Sequence, residues 1–141
     1  MIFYVDTSVL VAALTNEART AVVQEWLSKQ KRDPLAISEW VVTEFSAALS
    51  IKLRTGQLQA DHRADALAAF ARLTAESLQM LPVLPTHFRT AARFADQQAL
   101  LLRSGDALHL AVAAEHGATL YTLDERLAHA GPALGIRTRL L

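Results

Sequence analysis

The first ten residues, MIFYVDTSVL (residues 1–10), contain a short apolar run that ends at a charge. Ile2 to Val5 combine β-branched and aromatic side chains, a composition typical of a buried strand. The next residue is Asp6, and two hydroxyl side chains, Thr7 and Ser8, follow it. A carboxylate at the edge of an apolar core is unfavourable unless it is paired. We therefore expect Asp6 to have a specific partner or a specific role at the end of this strand.

The remainder of the chain alternates short strand patterns with longer helical patterns. Further strands are predicted at Leu35–Ile37, Gln79–Leu81, Thr119–Thr122 and Ile136–Arg139. Helices are predicted over residues 8–14, 17–31, 38–54, 61–77, 86–101 and 104–116, and a Thr-x-x-Glu capping box at residues 122–125 predicts a last one. Because no hairpin turn separates the strands, they are expected to pair in parallel. The predicted fold is α/β, with helices on both faces of a mainly parallel sheet.

Length and composition set further limits. At 141 residues and without a linker rich in Gly, Ser or Pro, the chain is predicted to form a single domain over residues 1–141. A net charge of zero excludes a protein that coats nucleic acid through its overall field, so any RNA or DNA site must be local. The absence of cysteine excludes disulfides, thiolate zinc sites and cysteine nucleophiles. The apolar fraction of 52% favours a partner that covers exposed apolar surface.

Nothing in the sequence predicts export or a membrane segment. Asp6 interrupts the only apolar stretch that resembles the core of a signal peptide. No uncharged apolar stretch approaches the ~18 residues that a membrane span requires. We therefore expect a cytoplasmic protein that does not enter a membrane.

Four acidic residues stand where an α/β fold brings functional groups together. Asp6 and Asp124 each follow a predicted strand, and the carboxyl ends of parallel strands share one edge of the sheet. Asp106 lies near the start of a helix, with Ser104 as a possible cap. Glu44 lies inside a helix, and its neighbours three and four residues away form an apolar stripe of Trp40, Val41, Ala47 and Ala48. The two helical acids are expected to close over the edge that carries the other two.

Each acid also has an ordinary structural explanation. Asp106 and Asp124 would complement helix dipoles, as acids in first helical turns commonly do. Asp6 would cap the helix that follows the first strand. Glu44 would form a structural ion pair, because a carboxylate on an apolar helix face needs a partner. The sequence alone leaves these alternatives open for each residue.

Convergence of the four carboxylates would require a positive charge. Two carboxylates about 4 Å apart repel by ~1 kcal/mol in water and by ~4 kcal/mol at an effective dielectric of about 20. Mg²⁺ and Mn²⁺ prefer oxygen ligands, so either ion suits a carboxylate pocket in a protein without cysteine. The chemistry natural to such a site is hydrolysis of a phosphodiester by metal-activated water.

The four acids would then have different roles in the site. Asp6 and Asp106 would be the main metal ligands, and Asp124 and Glu44 would complete the ligand set or align the water. Hydroxyl side chains that could orient the ligands are Ser8 and Thr122. All of these assignments are hypotheses from position and chemistry.

Four motifs occur along the chain in a characteristic order. They are Tyr-Val-Asp-Thr-Ser at residues 4–8, Ser-x-x-Val-x-Thr-Glu-Phe at 38–45, Gly-Asp-Ala-Leu-His-Leu-Ala at 105–111 and Leu-Tyr-Thr-Leu-Asp-Glu-Arg at 120–126. In order and spacing they resemble the PIN domain family, and the resemblance spans nearly the whole chain. Its length without an appended domain is most similar to the VapC-like toxin ribonucleases of type II toxin–antitoxin pairs.

This resemblance implies a three-layer α/β/α sandwich and an endoribonuclease that depends on Mg²⁺ or Mn²⁺. It implies a catalytic site at Asp6, Glu44, Asp106 and Asp124, of which the three aspartates would bind the metal. Asp124 corresponds to the acid that varies most in the family. The resemblance also implies an RNA substrate, a homodimer, and a small antitoxin that blocks the site and carries a DNA-binding part of its own.

Other interpretations remain open beside a toxin nuclease. A PIN-fold module that binds RNA or protein without catalysis would have a degraded site, whereas all four acids are present. A phosphatase would use Asp6 as a covalent nucleophile, but the Asp-x-Asp pair of such enzymes is missing because position 8 is serine. His109, three residues after Asp106, would be a metal ligand, a general base or, as we favour, a histidine packed inside its helix.

Overall fold

The computed structural model describes residues 1–141, in which five short strands alternate with seven α-helices. In chain order the elements are β1 (Phe3–Val5), α1 (Thr7–Leu14), α2 (Thr20–Lys29), β2 (Leu35–Ser38), α3 (Glu39–Arg54), α4 (Ala60–Glu76), β3 (Gln79–Leu81), α5 (Pro85–Ala95), α6 (Ser104–Glu115), β4 (Thr119–Thr122), α7 (Glu125–Ala133) and β5 (Thr138–Leu140). A 3₁₀ turn at Gln98–Leu100 links α5 to α6. All five predicted strands are present.

The five strands form one sheet in the order β3-β2-β1-β4-β5, and every neighbouring pair is parallel. β1 is the central strand: Tyr4 pairs with Ala36 on one side and with Leu120 on the other. A parallel sheet needs a crossover between strands, which the intervening helices provide. The predicted three-layer α/β/α fold is confirmed, with a sheet that is wholly parallel.

α1 and α6 are the most deeply buried helices. Five consecutive residues of α1, Val9–Ala13, are buried, as are seven of α6, Ala107–Ala113. A helix that is apolar on every side lies inside a protein. Because α1 follows β1 and α6 precedes β4, both helices begin at the carboxyl edge of the sheet. None of the helices combines the length and the hydropathy that crossing a membrane would take.

α2 and α5 are shorter than the sequence predicts. α2 begins at Thr20 instead of Glu17, because the Thr20 hydroxyl accepts a hydrogen bond from Glu17 N at 2.8 Å and donates one to Ala12 O at 2.7 Å. These bonds hold the connection against α1 in a non-helical form. α5 ends at Ala95, and the chain turns at Leu101, whose φ of 56° is left-handed and ends the 3₁₀ turn.

α7 packs closely on the segment that leads into β5. Gly131 in α7 is buried, and its carbonyl oxygen accepts a hydrogen bond from Ile136 N at 2.9 Å. β5 begins at Thr138 instead of Ile136, because Ile136 is part of this turn. The Thr138 hydroxyl donates a hydrogen bond to Ala128 O at 2.5 Å. The last strand is therefore fixed by α7 as well as by β4.

Replacing Gly131 with alanine is expected to destabilise the fold, although alanine normally favours a helix. An added Cβ would lie 2.2 Å from Cγ2 of Thr138 and 3.0 Å from the carbonyl oxygen of Ile136. We expect the free energy of unfolding, measured in urea, to fall by about 1–3 kcal/mol, a cost typical of overpacking. Thr138→Ser removes Cγ2 and keeps the hydroxyl, so the double variant should recover part of the loss. A Gly131→Ala protein as stable as the wild type would contradict this packing.

Candidate active site

The carboxyl ends of β1 and β4 bring two polar side chains into direct contact. Val5 pairs with Tyr121 in these neighbouring strands, so the residues that follow, Asp6 and Thr122, lie side by side. The Thr122 hydroxyl donates a hydrogen bond to Oδ2 of Asp6 at 2.5 Å. The backbone N–H of Asp6 donates to the carbonyl oxygen of Tyr121 at 3.1 Å. Two motifs at opposite ends of the chain thus form one site.

Asp6 is almost fully buried, and both of its carboxylate oxygens accept hydrogen bonds. Oδ1 accepts from the Ser8 hydroxyl at 2.5 Å and from the backbone N–H of Val9 at 3.3 Å. Asp6 therefore caps α1, and the capping explanation considered above is confirmed. Burial raises the pKa of Asp6, and the charge of His109 and these hydrogen bonds offset the rise only in part.

Asp124 is half-buried and caps α7. Its Oδ1 accepts hydrogen bonds from the backbone N–H groups of Arg126, at 2.9 Å, and Leu127, at 3.3 Å. The predicted capping box with Thr122 as the cap is therefore wrong. The Thr122 hydroxyl donates to Asp6 and accepts a hydrogen bond from the backbone N–H of Asp124 at 2.9 Å, so it joins the two aspartates.

Asp106 lies in the first turn of α6, where the charges of the other aspartates affect its pKa. Ser104 is the first residue of this helix and makes no capping hydrogen bond, so the predicted serine cap is wrong. Burial raises the pKa of Asp106, and the negative charges of Asp124 and Asp6 add to the rise. The three aspartates therefore share one electrostatic environment at the carboxyl edge of the sheet.

Glu44 projects from α3 and is held by two side chains. Its Oε1 accepts a hydrogen bond from the Thr7 hydroxyl at 2.7 Å and one from Nε2 of His109 at 2.5 Å. Its side chain is 31% exposed, so it lies at the border of the core. Burial acts to raise the pKa of Glu44, but the hydrogen bond and charge of His109, together with the bond from Thr7, lower it overall. The partner expected for a carboxylate on this helix face is His109.

A glycine allows α6 to approach Glu44 closely. A Cβ at Gly105 would lie 2.9 Å from Oε2 of Glu44 and 3.2 Å from Nε1 of Trp40. Nε1 of Trp40 is itself buried, and its N–H acts with the other donors to lower the pKa of Glu44. Any larger residue at position 105 would push the carboxylate away from the helix that carries Asp106. This contact explains the glycine in the Gly-Asp motif.

The three aspartates form no salt bridge in the protein. None of its salt bridges includes Asp6, Asp106 or Asp124. No group of three acidic or histidine side chains is arranged to hold a metal ion. The chemistry of the donors nevertheless fits a hard divalent cation, because carboxylates are its preferred ligands and its charge would offset the rise in the pKa values of Asp6 and Asp106. The assignment of these aspartates as metal ligands stays a prediction.

Two residues at the site were not foreseen as contacts of Glu44. His109 is packed inside α6 with 3% of its surface exposed, as we favoured, but it also bridges Tyr4 and Glu44. Thr7 donates to the same carboxylate. The sequence gives little sign of either contact beyond the presence of both residues within the motifs. The predicted involvement of Ser8 and Thr122 agrees with their hydrogen bonds to Asp6.

An open cleft of about 490 Å³ runs beside Glu44. Its lining includes Thr7 and Ser8 of α1 and the apolar residues Ala47, Ala48 and Ile51 of α3. The two charged residues that line it, Glu17 and Glu44, are both acidic. An anionic ligand would therefore need a bound cation or basic groups from outside this cleft.

A wholly parallel sheet with acidic side chains gathered at its carboxyl edge defines an α/β protein with an acidic candidate active site. Residues 3–131 match the family model of the PIN domain, and the chain belongs to the PIN domain family. No curated protein matches the chain in sequence.

Solved structures share this fold over nearly their whole length. VapC20 of Mycobacterium tuberculosis, a toxin that cleaves the sarcin–ricin loop, is 22% identical, with a TM-score of 0.73 over 92% of this chain and 95% of that one. VapBC2 from Rickettsia felis, bound to a promoter DNA fragment, is 18% identical, with a TM-score of 0.71 over 100% and 99%. PAE2754 from Pyrobaculum aerophilum is 25% identical, with a TM-score of 0.62 over 98% and 92%.

Asp6→Asn is expected to stabilise the metal-free protein increasingly as pH rises from about 4 to 7. A carboxyl whose pKa is raised by folding binds its proton more tightly in the folded state, so its contribution to stability is lost as pH rises from the unfolded pKa, near 4, through the folded one. Asparagine has no charge to bury. Urea unfolding of both proteins at several pH values, with EDTA present, measures the difference. A difference that stays constant with pH would contradict the raised pKa.

Proposed function

We propose that this protein is a metal-dependent endoribonuclease and the toxin of a type II toxin–antitoxin system. The observation that carries the proposal is a set of three aspartates without a salt bridge, Asp6, Asp106 and Asp124, at one edge of a PIN-domain sheet. Hydrolysis of a phosphodiester needs positive charge at the phosphoryl oxygens, which this acidic edge would acquire through a divalent cation. The related fold of VapC20, an RNA-loop-cleaving toxin, supports the same proposal.

Asp6, Asp106 and Asp124 are the residues proposed to hold Mg²⁺ or Mn²⁺. When bound, such an ion supplies a Lewis acid for the phosphoryl oxygens and makes water more acidic. The hydroxyls of Ser8 and Thr122 each donate to a different oxygen of Asp6, which fixes the plane of this carboxylate. Hydrogen bonds of this kind fix the orientation of a metal-binding carboxylate.

Glu44 is proposed to align the attacking water. Its carboxylate lines the cleft, is partly exposed and has a lowered pKa, so it is charged and accessible at neutral pH. A carboxylate with a low pKa is a weak base, which favours a role in orienting water over a role in taking up its proton. Thr7 and His109 both donate to Oε1, so Oε2 is the oxygen proposed to contact the water.

A PIN-fold module that binds RNA or protein without catalysis is the alternative function. Such a module would have no need for several carboxylates at the edge of the core, where the charges of Asp124 and Asp6 raise the pKa of Asp106. Burying them costs stability unless a ligand compensates for it. The presence of Asp6, Asp106 and Asp124 together therefore favours the nuclease.

RNA is the proposed substrate, and an antitoxin and a second copy of the chain are the proposed protein partners. The similar VapBC-5 of Mycobacterium tuberculosis is a member of the VapBC family of toxin–antitoxin systems. Ile51 and Phe88 are large apolar side chains that are 52% and 55% exposed, and protein partners would cover such surface. A cellular RNA substrate implies a cytoplasmic location.

Asp6→Asn is expected to lower the rate of RNA cleavage about a hundredfold or more. The substitution removes the negative charge of a proposed metal ligand, so the ion should bind less tightly. The rate is measured on a structured RNA in Mn²⁺ buffer, with products separated by size. Asp65→Asn, which changes an exposed aspartate of α4, serves as the matched control and should leave the rate unchanged. Cleavage by the Asp6→Asn protein at the wild-type rate would refute the site assignment.

Chelation separates the nuclease from the binding module. With EDTA we expect cleavage by the wild-type protein to stop, and with excess Mn²⁺ we expect it to return. A binding module would retain RNA in a filter assay and release intact RNA under both conditions. Cleavage that persists in EDTA would show that the reaction does not need a divalent ion.

Expression of the wild-type chain alone is expected to arrest growth of a bacterial host, whereas the Asp6→Asn chain at equal soluble level is not. Co-expression of an adjacent gene that encodes a small protein with a DNA-binding pattern should restore growth and yield a complex that co-purifies. Normal growth with abundant soluble wild-type protein would contradict the toxin proposal, while leaving the nuclease proposal to the cleavage assay.

A further inference from the structure

We propose that His109 is a positioning residue that fixes the Glu44 carboxylate through Nε2, and that the buried hydroxyl of Tyr4 in turn fixes the imidazole ring. This inference rests on the proposed nuclease function, because it assigns a role to His109 in aligning Glu44 for that reaction. His109 would thereby have a functional role although it is not one of the four predicted site residues.

The geometry forms a continuous chain from the interior to the cleft. Nε2 of His109 contacts Oε1 of Glu44 at 2.5 Å, and Nδ1 lies 2.7 Å from the hydroxyl of Tyr4. That hydroxyl lies 2.8 Å from Oγ of Ser38. Tyr4 and Ser38 are fully buried, and His109 is 3% exposed. Water therefore has no access to the Tyr4 end of this chain, and the ring is held between Tyr4 and Glu44.

The direction of these hydrogen bonds follows from the acceptor at the end. A carboxylate accepts only, so Nε2 of His109 carries a proton. If the ring is neutral, Nδ1 accepts from Tyr4, which accepts from Ser38. If the ring is charged, Nδ1 donates to Tyr4, which donates to Ser38. The proton on Nε2, and with it the contact to Glu44, is the same in both cases.

Glu44 needs such support because it approaches the site from a different element. It lies on α3, whereas Asp6 and Asp106 lie at the starts of α1 and α6. A partly exposed glutamate otherwise samples several rotamers. The bond from His109 ties the carboxylate to α6 and the bond from Thr7 ties it to α1, so Oε2 has a defined position relative to both helices.

A matched pair of substitutions separates positioning from packing. Glutamine carries an N–H at the position of Nε2, so His109→Gln retains a donor to Glu44, whereas His109→Met has a similar length and no donor. We expect the kcat of His109→Met to fall about tenfold to a hundredfold with little change in KM, and His109→Gln to retain about tenfold more of the rate. If His109 only packs the core, the apolar methionine should be at least as active and as stable as glutamine.

Equal kcat values for the two variants, measured with both folded by circular dichroism, would overturn the inference. His62→Asn, an exposed histidine of α4, serves as a control for general effects of losing a histidine and should match the wild type.

A spectroscopic measurement tests the contact without using catalysis. In ¹⁵N-labelled wild-type protein we expect a slowly exchanging imidazole N–H resonance from Nε2 of His109, and we expect Glu44→Ala to shift it or broaden it away. A resonance unchanged by Glu44→Ala would overturn the inference even if both His109 variants fail to fold. If the wild-type protein shows the resonance but does not cleave RNA, the nuclease proposal fails while the contact itself stands. If the wild-type protein cleaves RNA and the resonance is unchanged by Glu44→Ala, the nuclease proposal stands and the positioning role fails.

Discussion

A buried carboxylate at the end of the central strand is the constraint on which the site depends. Asp6 leaves β1 at the point where α1 begins, and no basic side chain pairs with it. Its charge is instead met by the hydroxyls of Ser8 and Thr122 and by a backbone N–H. Burial raises the pKa of Asp6, and these neutral donors and the charge of His109 offset the rise only in part. The fold therefore keeps an acid in a place where a cation would be favourable.

The pKa values of the acids in the site are shifted in two opposite directions. Burial raises the pKa values of Asp6 and Asp106, and for Asp106 the negative charges of Asp124 and Asp6 add to the rise, whereas Glu44 is held by His109 and has a lowered pKa. The first arrangement favours binding of positive charge, and the second keeps one carboxylate ionised beside an open cleft. Different tasks for chemically similar residues thus follow from their neighbours, as is common at sites that do chemistry.

The sequence predicts the local elements well and their ends less well. The strands fall where apolar and β-branched residues cluster, and all five are present. The start of α2 and the end of α5 differ from the periodicity, because a side-chain hydrogen bond of Thr20 and the backbone of Leu101 decide them. Thr122 illustrates the same limit: its sequence context favours a helix cap, yet its hydroxyl donates to Asp6, which follows the neighbouring strand. Local patterns do not record such competing partners.

By itself the sequence determined the α/β class, the four acids and their association with strand ends and helix starts, because hydrophobic periodicity and residue chemistry are local properties. Only the tertiary structure decided which groups meet. The bond between Glu44 and His109 joins residues 65 positions apart on two helices, and that between Asp6 and Thr122 joins residues 116 positions apart at the ends of neighbouring strands. Such contacts depend on strand order and on the close approach at Gly105, which are products of packing the whole chain.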